Sequence, residues 1–203
     1  MREVVTWARS HPDIDSEHIG VWGTSYSGGH ALMMGALDRR ISAVVAQVPL
    51  VDGDGFFGAS LKGGGGEKFL ERLALDRDGR QAGEPAKTIR AAPGGSTTAD
   101  WAAATDAEGV WPNRMTLRSL EAVASYMPVN HTKRISPTPL LMLVANEDEV
   151  TPLEPQLAAF ENAREPKRLV RFDCQHYDVY VPPLVDRSAA EARDFFVEHL
   201  STA

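Results

Sequence analysis

The chain has a single cysteine, Cys174, in 203 residues. No internal disulfide can therefore form, and the redox compartment is left open. No apolar run approaches the ~18 residues that a membrane-spanning helix needs. The opening stretch "MREVVTWARSHPDID" sets charges where a signal peptide carries its apolar segment. A cytoplasmic location with no membrane partner is the expectation. Nor is there a basic surplus, since 21 Lys and Arg against 28 Asp and Glu leave a formal charge of −7. Nucleic acids and anionic membrane surfaces both demand a basic face, so neither is expected as a partner and small neutral or cationic ligands remain open. The length suits one sizeable core, as one domain or one domain with an insertion.

What is present is an alternation of strand and helix signals. "REVVTWAR" (2–9) fits an amphipathic helix whose Val4, Val5, Trp7 and Ala8 share a broad apolar face. "IGVWG" (19–23) and "ISAVVAQVPL" (41–50) are nearly continuous apolar runs separated by the helical "HALMMGALD". Continuous runs suit strands covered on both faces, as in parallel sheets with helical crossovers. The same order returns later. "PLLMLVAN" (139–146) and "KRLVRFDC" (167–174) read as strands, and "TPLE" (151–154) reads as a capping box with Pro152 at the first helical position. Ser188 with Glu191 forms a second capping box before "ARDFFVEHL", whose Phe195, Phe196 and Leu200 would face the sheet. The pattern predicts an α/β fold: an open, mostly parallel sheet flanked by helices.

Residues 51–135 depart from this order, being rich in Gly, Ala and charge, with helical patches near 67–76 and 115–126. A structureless loop of that length is improbable in a compact domain, so the segment is expected to be a cap-like insertion between core segments 1–50 and 136–203.

The stretch "GVWGTSYSGGHAL" carries the chemistry. A serine hydroxyl needs a neighbouring base and a fixed, exposed position, and a sharp turn from a buried strand into a helix supplies one through the pattern G-x-S-x-G. Neither serine matches perfectly: Ser25 has Gly23 before it and Ser27 after, whereas Ser27 has Ser25 before and Gly29 after. Ser25 follows the strand at the interval the turn requires, and Ser27 would already lie in the first helical turn. Two serines capping a helix would give the same local pattern. The rest of the chain favours chemistry, because "LLMLVANEDEVTP" ends a strand on Glu147, Asp148 and Glu149, and "RLVRFDCQHYDVY" ends the next on His176. The order Ser, acid, His at successive strand ends is that of a serine hydrolase on a parallel sheet.

Together with "RISAVVAQVPL", "SPTPLLMLVANEDEVTP" and "EPKRLVRFDCQHYDVY", these stretches resemble the α/β-hydrolase superfamily, in particular the bacterial esterase-like branch near dienelactone hydrolases and X-prolyl dipeptidyl peptidases. The resemblance implies Ser25 as nucleophile, His176 as base and Asp148 as acid, since the family's acid commonly opens a D-x-x-x-P stretch matched by "DEVTP". It implies the backbone N–H of Tyr26 as one oxyanion-hole donor, a small-molecule acyl substrate, and no cofactor or metal. Ser27 in place of the second glycine departs from the commonest pattern. The resemblance also implies strands before the elbow that this sequence does not show, hence an N-terminally truncated core and self-association through an exposed sheet edge. The expected function is hydrolysis of a carboxylic ester or related acyl bond. The alternative is a catalytically impaired fragment of this fold acting in assembly or ligand binding.

Weaker signals resolve in favour of structure. Cys174, at the end of an apolar strand, suits packing. "KGGGGEK" (62–68) lacks the phosphate-loop pattern and reads as a flexible loop. "DGDG" (52–55) lacks the closing Glu of a calcium loop. Trp101, Trp111, Phe56, Phe57, Tyr126 and Met127 could line an acyl pocket, but most are expected to hold the insertion in place.

Overall fold

The β-branched runs become a four-stranded parallel sheet. The structure is a computed structural model that describes residues 1–61 and 66–201. In chain order, α1 (Arg2–Ser10), β1 (Gly20–Thr24), α2 (Tyr26–Leu37) and β2 (Ala43–Gln47) come first. Next are α3 (Gly53–Leu61), α4 (Gly66–Gln81), β3 (Thr88–Ile89), α5 (Thr97–Thr105), β4 (Met115–Thr116) and α6 (Leu117–Ala124). The last are β5 (Leu140–Ala145), α7 (Leu153–Asn162), β6 (Lys167–Phe172) and α8 (Leu184–Leu200). The large sheet has the order β1-β2-β5-β6 with every pairing parallel.

The apolar run lengths reflect position in this sheet. Central strands β2 and β5 are buried at every residue, which is why their sequences do not alternate. Successive side chains still point to opposite faces. Val44, Ala46, Leu140, Met142 and Val144 pack with Ala31, Leu32 and Ala159 from α2 and α7. Ala43, Val45, Leu141 and Leu143 pack instead with Ala192 and Phe195 of α8, and Phe196 and Leu200 join them as predicted. Each fully buried Leu or Val contributes roughly 1.5–3 kcal/mol relative to exposure, so the two faces of β2 and β5 hold much of this core's stability. Edge strand β1 has no strand on its outer side among the described residues, and Trp22 on it is 51% exposed.

Two compact units result, Met1–Val51 with Pro128–Ala203, and Asp52–Met127. The second unit therefore ends before the predicted position 135. It carries α3 to α6 and the short antiparallel pair of β3 and β4, around a core of Phe57, Leu73, Leu117 and Leu120. Buried Asp76 is satisfied inside it, accepting the Lys87 N–H at 2.7 Å and Arg80 Nε at 2.9 Å, and these bonds hold its carboxyl below the usual carboxylate range. Asp52 Oδ1 accepts the Gly55 N–H at 2.8 Å at the start of α3. Phe57 lies in this core, while Phe56 and Trp111 are partly exposed. Of the expected glycine loop at 62–68, residues 62–65 lie outside the described residues, and Gly66, Glu67 and Lys68 belong to α4.

Two local expectations are corrected. In α1 only Val5 is buried, and Val4 and Trp7 stay 65% and 60% exposed, because Val5 and Trp7 are two helical steps apart and cannot face the same neighbour. Ser188 does not cap α8, which starts at Leu184 because Leu184 packs against the sheet core. Ser188 lies buried within the helix and donates to the Val185 carbonyl at 3.1 Å.

One polar contact ties α1, the end of α2 and the entry to β2 together. Asp38 caps the C-terminus of α2, and Arg40 binds its carboxylate through Nε at 2.8 Å and Nη2 at 2.6 Å. Arg40 Nη1 also donates to Thr6 Oγ1 at 2.7 Å. The Arg40 guanidinium holds the buried Asp38 carboxyl down at about 2, against the burial that pushes it up. A carboxyl depressed from 3.8 to about 2 stabilises the folded state by about 2 kcal/mol above pH 4, and that contribution is lost as pH falls through 2. Urea unfolding of Asp38→Asn is expected to show this loss at pH 7 and a shrinking difference from the parent protein as pH falls from about 4 to about 2.

Candidate active site

The turn after β1 holds Ser25 in a conformation that few side chains adopt, at φ 54° and ψ −122°. A non-glycine residue there costs on the order of 1–3 kcal/mol, so its surroundings must over-determine it. They do. The Ser25 N–H donates to the Gln47 carbonyl at 2.9 Å, and the Ser25 carbonyl accepts the N–H groups of Leu50 at 2.9 Å and Gly28 at 3.0 Å. Two glycines permit this closeness. A Cβ on Gly23 would lie 2.1 Å from the Ser27 carbonyl oxygen, and one on Gly28 would lie 2.9 Å from the Gln47 carbonyl oxygen.

Ser27 has a different task. Its Oγ donates to the Thr24 carbonyl at 2.8 Å and accepts the Thr24 N–H at 3.0 Å, closing the turn. The hydroxyl therefore fills the place of the commoner glycine with two bonds to the end of β1. Tyr26 opens α2, and its ring packs against His30 at 4.7 Å between centroids. Burial lowers the His30 imidazole from its ordinary value.

The other two predicted residues meet Ser25 from the ends of β5 and β6. His176 is buried, with Nε2 3.1 Å from Ser25 Oγ and Nδ1 2.8 Å from Asp148 Oδ2. Of the three acids, Asp148 is buried and reaches the imidazole, while Glu147 and Glu149 are not buried. Asp148 Oδ1 accepts the N–H groups of Val150 at 2.9 Å and Thr151 at 2.7 Å, which fix one edge of the carboxylate.

Thr151 corrects the predicted capping box. The first turn of α7 receives no side-chain cap; the Thr151 hydroxyl turns instead toward Asp148 Oδ2 at 2.9 Å and the Val48 carbonyl at 3.0 Å. The residue at the cap position of α7 is Pro152, which has no side-chain acceptor for the N–H groups of the first turn, and Thr151 lies one residue before it. Gln156, fully buried on α7, donates Nε2 to the Thr151 carbonyl, and its Oε1 has no hydrogen-bond partner among the described residues. Such an orphan costs about 1–3 kcal/mol. Sequence reasoning missed Gln156; the available signal was a polar residue one helical turn from apolar Ala159 and Phe160.

Two tyrosines border the imidazole. Tyr177 packs edge-on at 4.9 Å and Tyr180 lies 6.0 Å away, its hydroxyl 2.6 Å from Thr24 Oγ1. Burial pushes the Tyr180 phenol up to about 12. A cavity of about 360 Å³ opens beside Tyr180, lined by Trp22, Gln47, Val185, Ala192 and Phe196. Cys174 is buried, and burial together with the nearby carboxylates pushes its thiol up to about 11, so it stays neutral at pH 7 and packs. Among the described residues no group of three or more His, Cys, Asp or Glu could hold a metal ion, and no helix there is long and apolar enough to cross a membrane.

Comparison with known proteins bears on the family and the fold. Residues 1–178 match the family described as X-Pro dipeptidyl-peptidase (S15 family). The chain is 26% identical over 202 residues to an uncharacterized 31.7 kDa protein of the traX-finO intergenic region of Escherichia coli, covering 97% of this chain and 70% of that protein. It is 29% identical over 177 residues to the polyketide transferase grgF of Penicillium sp, covering 83% of this chain and 58% of the transferase, less than two thirds of its length. The crystal structure of the alpha/beta hydrolase GrgF from Penicillium sp. sh18 superposes with a TM-score of 0.84 at 26% identity, covering 99% of this chain and 70% of that one.

The elbow contacts lead to a contrast between two substitutions. Gly23→Ala is expected to lower the unfolding free energy by about 3 kcal/mol or more, because backbone must move to admit the methyl group. Ser27→Gly is expected to cost about 1–2 kcal/mol for two lost hydrogen bonds. Denaturant unfolding of both variants checks the order.

Proposed function

The chain belongs to the X-Pro dipeptidyl-peptidase (S15) family within the α/β hydrolases, and from that premise we propose that it is a serine hydrolase cleaving a carboxylic ester or related acyl bond through Ser25, His176 and Asp148. The observation that carries the proposal is the continuous path from Ser25 Oγ to His176 Nε2 at 3.1 Å and from His176 Nδ1 to Asp148 Oδ2 at 2.8 Å. His176 takes the Ser25 proton as Oγ attacks the acyl carbon. Buried Asp148 holds the tautomer with the proton on Nδ1 and stabilises the imidazolium that forms. The Tyr26 N–H, at the first position of α2, donates to the oxyanion of the tetrahedral intermediate, aided by the positive end of the helix dipole. His176 then returns the proton to the leaving group, and water attacks the acyl-enzyme by the reverse sequence.

The names of two relatives, a polyketide transferase and a thiohydrolase, are compatible with this route. Whether water or another nucleophile receives the acyl group here depends on the acceptor offered, because the acyl-enzyme is common to both. Among the described residues β1 has no strand on its outer side, and Trp22 on it is half-exposed; both support self-association through that edge. A sedimentation coefficient that rises with protein concentration and falls back in Trp22→Lys is the expected result.

A fluorophosphonate probe is expected to label Ser25, with labelling abolished in Ser25→Ala and retained in Ser27→Gly; persistence in Ser25→Ala would sink the assignment. On p-nitrophenyl acetate, Asp148→Asn is expected to lower turnover by about 10⁴-fold, since an amide cannot stabilise the imidazolium and holds the wrong tautomer. Glu147→Gln and Glu149→Gln, neither of them buried, should change it less than about threefold. Equal losses at all three acids would show a general field effect with no single triad acid.

A further inference from the structure

Resting on the triad reading above, we propose that Thr151 is a positioning residue: its hydroxyl locks the Asp148 carboxylate against His176, and Gln156 locks the loop that presents it. Thr151 is 3% exposed, and its Oγ1 lies 2.9 Å from Asp148 Oδ2, 3.0 Å from the Val48 carbonyl and 3.2 Å from His176 Nδ1. One hydroxyl proton faces two acceptors. The carboxylate is the stronger, so the proton goes to Oδ2, the same oxygen that accepts the imidazole N–H. Backbone N–H groups already hold Oδ1. The carboxylate is thus held at both oxygens and cannot turn away from the imidazole.

Two further features point the same way. Val48 is buried and takes φ 37°, which a β-branched residue rarely adopts, and its carbonyl is the second oxygen beside the Thr151 hydroxyl. Gln156 Nε2 donates to the Thr151 carbonyl and lies 3.5 Å from both Asp148 Oδ2 and Thr151 Oγ1, while its own Oε1 stays unpaired among the described residues. A buried amide half satisfied, beside a strained valine, marks a place where geometry has been kept at the expense of local stability.

The test reads the rate of fluorophosphonate labelling per folded molecule in the full chain. Without the Thr151 hydroxyl the Asp148 carboxylate is held at Oδ1 alone and can turn from the imidazole, so each folded molecule activates Ser25 less.

Thr151→Val is expected to label about 10- to 100-fold more slowly per folded molecule, in keeping with the loss of an outer partner of a reactive group. Thr151→Ser, which restores the hydroxyl, should return the rate. A purely structural role would lower the folded fraction and leave the rate per folded molecule unchanged. A wild-type rate per folded molecule in Thr151→Val, or a Thr151→Ser as impaired as Thr151→Val, would overturn the proposal. Should Thr151→Val not fold, Thr151→Ala replaces it. Independently of any variant, the wild-type protein should show a slowly exchanging Thr151 hydroxyl proton with a nuclear Overhauser contact to the His176 Nδ1 proton, and its absence would overturn the proposal as well. Ser25→Ala run in parallel separates the two readings: persistent labelling there defeats the triad, whereas abolished labelling with an unaffected Thr151→Val defeats only the role of Thr151.

Discussion

The register between β1 and β2 is the constraint on which the site depends. Thr24 pairs with Gln47 at the end of the ladder, and the next bond in line is the Ser25 N–H on the Gln47 carbonyl. A slip of one residue would reverse every side chain of β1 and remove that acceptor. The unfavourable backbone of Ser25 is tolerable because the ladder fixes its amide, Leu50 and Gly28 fix its carbonyl, and Ser27 fixes the residue before it. No single one of these bonds is strong; together they leave the turn no alternative.

Parallel pairing then brings distant residues to one end of the sheet. Ser25, Asp148 and His176 come after β1, β5 and β6, and a parallel sheet delivers all its strand ends on the same side. β2 contributes through two carbonyls at its C-terminal end. Gln47 offers its carbonyl to the elbow and Val48 offers its own to Thr151, so this central strand touches the turn bearing the serine and the loop bearing the acid. Every residue of this strand is buried, and the close packing of protein interiors leaves such a strand little room to shift.

Much of this was legible in the chain. Continuous apolar runs marked the buried strands because a strand covered on both faces has no polar side to show. The serine, the acids and the histidine stood out because each closes such a run. The boundary at Met127, the exposed flank of α1 and the two failed capping boxes were not legible, because each depends on what a segment meets in space. Thr151 and Glu154 satisfy the spacing of a cap, yet the helix begins one residue later, with Pro152 at the cap position, and the Thr151 hydroxyl donates to the buried carboxylate. Gln156 carried a faint signal as a polar residue on an apolar helical face, but its partners come from the acid loop and only folding supplies them.

By itself the sequence determined the alternation of strands and helices, the absence of any internal disulfide, and the set of groups at the strand ends, since these are matters of local periodicity and residue chemistry. Tertiary structure alone decided which of Glu147, Asp148 and Glu149 meets the imidazole, that Ser27 serves the backbone of β1 while Ser25 faces His176, and that Thr151 joins the acid instead of a helix end. Neighbouring residues in a loop are chemically near-equivalent along the chain. Burial and a few ångströms of distance, which only packing fixes, make one of them different from the rest.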